Sequence, residues 1–152
     1  MTICYLHERP EYEKQVAEMM NIQFGLPSNR PAYEELISHA LTADQLPQAA
    51  IALDGGELVG MAALIRIDLM SRQDLTPWLA GLVVHPAYRG HGLGGRLADK
   101  VIESARHMGY PHVYLYTTLE GYYEKLGWEF IGRSPEIDGS VEKVYRHSTE
   151  QA

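Results

Sequence analysis

Cysteine is all but missing from this 152-residue chain: Cys4 stands alone, so neither an intrachain disulfide nor a cysteine-rich metal site can form. It lies in the apolar run Ile3-Cys4-Tyr5-Leu6, a setting that suits a buried small hydrophobe rather than a reactive thiol. Basic charge is scarce as well, with 13 Lys and Arg against 20 Asp and Glu and a formal net charge of −7. That balance lacks the cationic surface on which phosphate-backbone contacts rest, so no nucleic-acid partner is expected. A cationic small molecule or a neutral partner suits it better. Long hydrophobic runs are absent too: none approaches the ~20 apolar residues of a membrane helix. Glu8 and Arg9 interrupt the N-terminus before a signal-like run develops. The expectation is a cytoplasmic protein without membrane association. Repeats, linkers and low-complexity segments are likewise wanting, and the length fits one domain over residues 1–152.

What is present reads as an α/β unit with a mixed sheet. Residues 2–6 look like a short strand. Tyr12, Val16, Met19, Met20 and Phe24 share one stripe of a helix over 10–24, with Pro10 near its start. "GLPSNRP" breaks the chain before a second helix over 32–41. Two apolar runs over 48–67 surround Asp54-Gly55-Gly56, a hairpin signal, and a polar connection over 68–77 leads to a strand over 78–85. Leu93, Leu97, Val101 and Ala105 then define a wide apolar face on a helix that ends at Gly109. A strand over 112–117, a short helix over 119–127 and a strand over 128–133 follow. "SPEIDGS" turns the chain back into a last strand over 141–147.

Glycine is concentrated where a strand meets a helix: four of the six residues from Gly90 to Gly95 are glycine. In a helical turn each costs about 1 kcal/mol relative to alanine. At a helix N-terminus, however, missing side chains let backbone N–H groups approach an anion that the helix dipole also favours. A phosphate or pyrophosphate ligand accounts for the glycines. Gly90, Gly92 and Gly95 also spell G-x-G-x-x-G, but a dinucleotide site has its first glycine almost at the strand end, in the first βα turn. Here Pro86-Ala87-Tyr88-Arg89 intervenes, and no acidic residue closes the next strand.

The whole stretch "VVHPAYRGHGLGGRL" resembles instead the acyl-CoA pyrophosphate loop of the GNAT superfamily of N-acetyltransferases. Its Arg/Gln-x-x-Gly-x-Gly/Ala core is met by Arg89, Gly92 and Gly94. Downstream, "GYYEKLGW" is similar to the family's Tyr-x-x-x-Gly-Phe/Trp segment, with Tyr123, Gly127 and Trp128. The order of elements also resembles that fold, a central, mostly antiparallel sheet flanked by helices. The resemblance implies acetyl-CoA as cosubstrate, no metal, and transfer to a primary amine of a small molecule or peptide. It implies that Leu82, Val83, Val84, Arg89, Gly90, His91, Gly92, Leu93, Gly94, Gly95 and Tyr123 contact the cofactor. A backbone N–H near Leu82 to Val84 would polarise the thioester carbonyl. Paired subunits, a homodimer, are common in the superfamily.

Tyr123 matches the tyrosine that the family places at the leaving thiolate. Proton transfer from a phenol of pKa about 10 to a thiolate of about 8.5 is uphill by roughly 2 kcal/mol, so a hydrogen bond suffices. Leu119, Tyr122, Tyr123 and Leu126 also form a packing stripe, and only the motif favours Tyr123 over Tyr122. Many relatives carry a glutamate on the strand before the glycine loop, yet "WLAGLVV" has no acid. Glu35, Asp68 and Glu120 are remote alternatives acting through water, and His85 at a strand exit suits a loop role. Two other classes stay open: a non-catalytic acyl-CoA sensor, and a dinucleotide-dependent oxidoreductase.

Overall fold

The computed structural model describes residues 1–151. Seven strands, β1 (Thr2–Tyr5), β2 (Gln48–Asp54), β3 (Glu57–Ile65), β4 (Trp78–Val84), β5 (His112–Thr117), β6 (Glu129–Pro135) and β7 (Val141–Ser148), form one sheet. Helices α1 (Glu13–Phe24), α2 (Arg30–Ser38), α3 (Leu93–His107) and α4 (Tyr122–Lys125) accompany them. The strand order is β1-β2-β3-β4-β5-β7-β6, and among the described residues only β4 and β5 run parallel. This is the expected mixed, mostly antiparallel sheet flanked by helices. It is not the parallel sheet of a dinucleotide-binding fold.

The apolar pattern explains the layering. Ala50, Ala52, Val59, Ala62 and Leu64 of β2 and β3 meet Leu97, Ala98, Val101 and Ala105 of α3 on one face. The alternate residues Ala49, Ile51, Leu53, Met61 and Ala63 meet Val16 and Met20 of α1 and Ile37 of α2 on the other. A strand covered on both faces reads as a continuous apolar run, as β2 does. Element ends moved by a few residues. Helix α1 is preceded by a 3-10 turn over Pro10–Tyr12, and α2 begins before residue 32 because Pro31 is tolerated in a first turn, where its missing N–H breaks no bond. The short helix covers only Tyr122–Lys125 of the expected 119–127.

The connection over 68–77 is more than a polar link. Leu69 is fully buried against Trp78 and Val144 in a third small cluster, with Tyr114 and Tyr116 packed beside it. The indole Nε1 of Trp78 donates to the Leu75 carbonyl at 2.6 Å. Ser71 Oγ donates to the Pro135 carbonyl at 2.6 Å, and Arg72 Nη1 donates to Ser134 Oγ at 3.1 Å. The segment is therefore fastened across β6 and β7, and its first residue, Asp68, is held in a defined place.

Candidate active site

Strands β4 and β5 pair once, at Trp78↔Tyr114, and then part. From Leu79 onward β4 stays paired with β3, its register shifted by a bulge between Ala80 and Val83, and among the described residues it has no partner on its other edge. Near the end of β4, the N–H of His85 donates to the Val59 carbonyl at 2.8 Å. Val84 is opposite Gly60 in the adjacent, non-bonded position of this antiparallel ladder, so its own N–H and C=O face the open side. Its carbonyl accepts from Arg89 Nε at 2.9 Å, which ties the loop to the strand. The N–H faces the gap between the strands, where a ligand amide or thioester carbonyl would pair with it.

The glycine loop lies directly beyond. Gly90 and Gly92 adopt φ of 83° and 78°, a left-handed conformation that side-chain-bearing residues rarely take, and a Cβ at either would meet nothing within 4 Å. Helix α3 starts at the next residue, and the Arg96 N–H closes its first turn on the Gly92 carbonyl at 3.2 Å. The N–H groups of Leu93, Gly94 and Gly95 therefore have no intrahelical acceptor and point out of the positive end of the helix dipole. Open approach plus unpaired donors is what a pyrophosphate requires. Gly94 and Gly95 have an additional cause: a Cβ on Gly94 would stand 2.5 Å from the Tyr122 hydroxyl, and one on Gly95 3.2 Å from Leu126 Cδ2. Those two glycines admit the 119–127 segment against the helix start.

The loop is braced from outside. Tyr88 donates to Asp54 Oδ2 at 2.6 Å, and His85 Nδ1 accepts the Ala87 N–H at 3.1 Å, the loop role expected of that histidine. A cleft of about 610 Å³ results, lined by Leu82, Val83, Val84, Arg89, Gly90, Gly92, Leu93, Gly94, Gly95 and Tyr123. Of the residues expected at a cofactor, only His91 stays outside this lining; it is exposed on the loop.

Tyr123 owes its position to the turn after it. Gly127, at φ 88°, lets the Trp128 N–H return to the Tyr123 carbonyl at 3.0 Å and the Gly127 N–H to Glu124 at 3.1 Å, a Schellman close. That is the physical content of the Tyr-x-x-x-Gly-Trp spacing. The ring is edge-on to Tyr122 at 4.8 Å and to Trp128 at 6.0 Å, and burial pushes its phenol up to about 12. Tyr122 is exposed at the rim.

A second cavity, of about 780 Å³, opens on the other side of Tyr123 and shares Gln23, Leu82, Leu119 and Tyr123 with the first. Its far wall carries Tyr33, Asp68, Tyr116 and Glu142. Burial, with a smaller contribution from Glu136, raises the Asp68 carboxyl to about 6. Among the described residues no hydrogen bond or ion pair engages Asp68. The other two remote carboxylates stand elsewhere: Glu35 pairs with His39 on the surface, and Glu120 pairs with Lys143 while fully exposed. Tyr33, Tyr116 and Glu142 were not anticipated. Alternation in "HVYLYT" carried part of the signal, since Val113 and Leu115 enter the core and set Tyr114 and Tyr116 on the opposite face.

Comparison with known proteins agrees with this fold. The model of the acetyltransferase (GNAT) family matches residues 13–128. No curated protein matches the chain in sequence. An aminoglycoside 6'-N-acetyltransferase complexed with coenzyme A superposes with a TM-score of 0.76 at 19% identity, over 100% of this chain and 99% of that one. The aminoglycoside 6'-N-acetyltransferase from Enterococcus faecium gives 0.75 at 19% identity, again over 100% and 99%. YncA from Salmonella typhimurium, solved with its cofactor acetyl-CoA, gives 0.68 at 17% identity over 100% of this chain and 95% of that one.

Proposed function

This chain belongs to the GNAT acetyltransferase family, and from that premise we propose that it transfers acetyl from acetyl-CoA to a primary amine in a direct ternary complex. The observation that carries the proposal is the meeting of two clefts at Tyr123. One ends in unpaired N–H groups at the start of α3; the other ends in acidic and aromatic side chains. The first suits a polyanionic ligand with an extended arm, the second a cationic acceptor. An aminoglycoside-like amine, a small polyamine and a peptide N-terminus are the candidate acceptors.

Acetyl-CoA supplies the activated acetyl group as a thioester. The chain's own residues do the rest. N–H groups from about Gly90 to Gly95 hold the pyrophosphate, each charge-assisted bond contributing more than a neutral one. The Val84 N–H donates to the thioester carbonyl oxygen as negative charge develops there. Tyr123 donates to the departing sulfur. With its phenol near 12, full proton transfer to a thiolate of about 8.5 is uphill by roughly 5 kcal/mol, so the hydroxyl stays intact and stabilises the charge by hydrogen bonding. The enzyme is proposed as a single-domain cytoplasmic protein.

Thermal melting with acetyl-CoA, NAD and FAD, followed by thiol release over a panel of amines, tests the proposal. A melting shift with acetyl-CoA alone and turnover with at least one amine support it, since a ligand specific for the folded form raises apparent stability. Binding of acetyl-CoA without turnover of any amine would favour the sensor alternative.

A further inference from the structure

Strand β4 carries no acid beside the thioester, so the proton of the incoming ammonium needs another acceptor. We infer that Asp68 is that acceptor: the 68–77 segment holds its carboxylate in the wall of the acceptor cleft, on the far side of the cavity that Tyr123 closes. The inference rests on the transferase reading above and adds the base that it lacks.

Three observations converge. Asp68 lines the same cavity as Leu82 and Tyr123, which border the acetyl-donor cleft. Its position does not depend on a floppy loop, because Leu69 is fully buried and Ser71 and Arg72 are bonded to Pro135 and Ser134. Its carboxylate faces no cation. The groups turned toward it are Glu136 after β6, Tyr116 on β5, Glu142 on β7, and Tyr33 on α2 across the cavity. Nearby basic residues are engaged elsewhere: Arg72 with Asp74, Lys143 with Glu120, and Arg66 toward the Leu46 carbonyl. A largely buried carboxylate beside a second acid and without a counter-charge is disfavoured as an anion, and its affinity for a proton rises accordingly. A cationic amine entering the cleft provides the missing charge and the proton together.

The step balances simply. Of the three N–H protons of the ammonium, one passes through water in the cleft to Asp68, and from there to solvent. The freed lone pair forms the N–C bond as the C–S bond breaks. A second N–H proton ends on the sulfur as the thiol, and the third remains in the amide.

The test is the pH dependence of kcat/KM for the wild type and Asp68→Asn, using an alkylamine of pKa about 10. With Asp68 as base, the wild type binds the ammonium, and its kcat/KM climbs only to about pH 6 before levelling, because that parameter reports the free enzyme. Asp68→Asn must await free amine, so its kcat/KM keeps rising about tenfold per pH unit toward the acceptor's own pKa. Its deficit is about 100-fold or more near pH 7 and shrinks as the pH rises. Melting and acetyl-CoA affinity report that the variant is folded. A variant whose profile merely parallels the wild type, with raised KM and unchanged shape, overturns the inference and leaves Asp68 as a cation anchor. An active wild type with an undiminished variant also overturns it. A wild type that turns over no amine at all fails at the earlier step and removes the transferase reading itself, and the role of Asp68 with it.

Discussion

The two clefts that meet at Tyr123 are built by different means. The proposed donor cleft is made of main chain: the open edge of β4 and the unpaired N–H groups at the start of α3. The acceptor cleft is made of side chains delivered by α1, α2, the 68–77 segment, β5 and β7. Main-chain recognition demands particular residue types at particular spacings, because only glycine allows the backbone to turn and be approached in that way. Side-chain recognition demands only that chemistry arrive from somewhere. The first kind of site is written locally in sequence; the second is assembled by topology.

The largest expected effect breaks the donor side alone. Gly92→Glu brings a carboxylate to the proposed anion site and a side chain to a left-handed residue. Acetyl-CoA affinity should fall by about 100-fold or more, roughly 3 kcal/mol, by isothermal calorimetry. The left-handed strain costs the fold only about 1–2 kcal/mol. Unchanged affinity would remove the anion site from α3.

Next in size is a change in stability on the acceptor side. The folded pKa of Asp68 is raised above its unfolded value, so the stability that this group contributes is complete below about pH 4 and lost as the pH climbs through about 6. Asp68→Asn should therefore match the wild type in acid and exceed it at pH 8 by up to about 3 kcal/mol. Denaturant melts at both pH values measure the difference; a variant less stable at pH 8 would contradict the uncompensated carboxylate. A protein that keeps such a group gives up stability for a chemical capacity.

Between the clefts, Tyr123→Phe should lower kcat by roughly tenfold, about 1.4 kcal/mol, with acetyl-CoA affinity nearly intact. Tyr122→Phe should change kcat by less than about twofold, since that ring is at the exposed rim. The reverse ranking would exchange the two assignments. Smallest of all, Glu35→Gln and Glu120→Gln should each leave kcat/KM within about twofold, because both carboxylates are exposed and paired outside the cavity. A large loss in either would displace Asp68 from its role.

Much of the proposed donor cleft was legible in the sequence. The strand–glycine–helix junction, the Arg89 and Gly92 spacing and the Tyr123–Trp128 segment each correspond to one backbone device. What could not be read was the distinct purpose of Gly94 and Gly95, because their constraint comes from Tyr122 and Leu126, far downstream in the chain. The insertion of β7 between β5 and β6 was equally hidden; local patterning fixes a hairpin but not which of its strands joins the sheet. That insertion brings Glu142 to the acceptor cleft beside Tyr116. Asp68, Glu35 and Glu120 looked alike as single acids in polar surroundings. Burial separates them, and Asp68 adjoins Leu69, which packs against Trp78 and Val144 from distant parts of the chain.

A crystal structure with acetyl-CoA bears most directly on the central claim. The expected result has the pyrophosphate on the N–H groups of residues 90–95, the thioester carbonyl at the Val84 N–H, and the sulfur within hydrogen-bond reach of the Tyr123 hydroxyl. A cofactor seated away from the start of α3, or with its thioester turned from Tyr123, would contradict it.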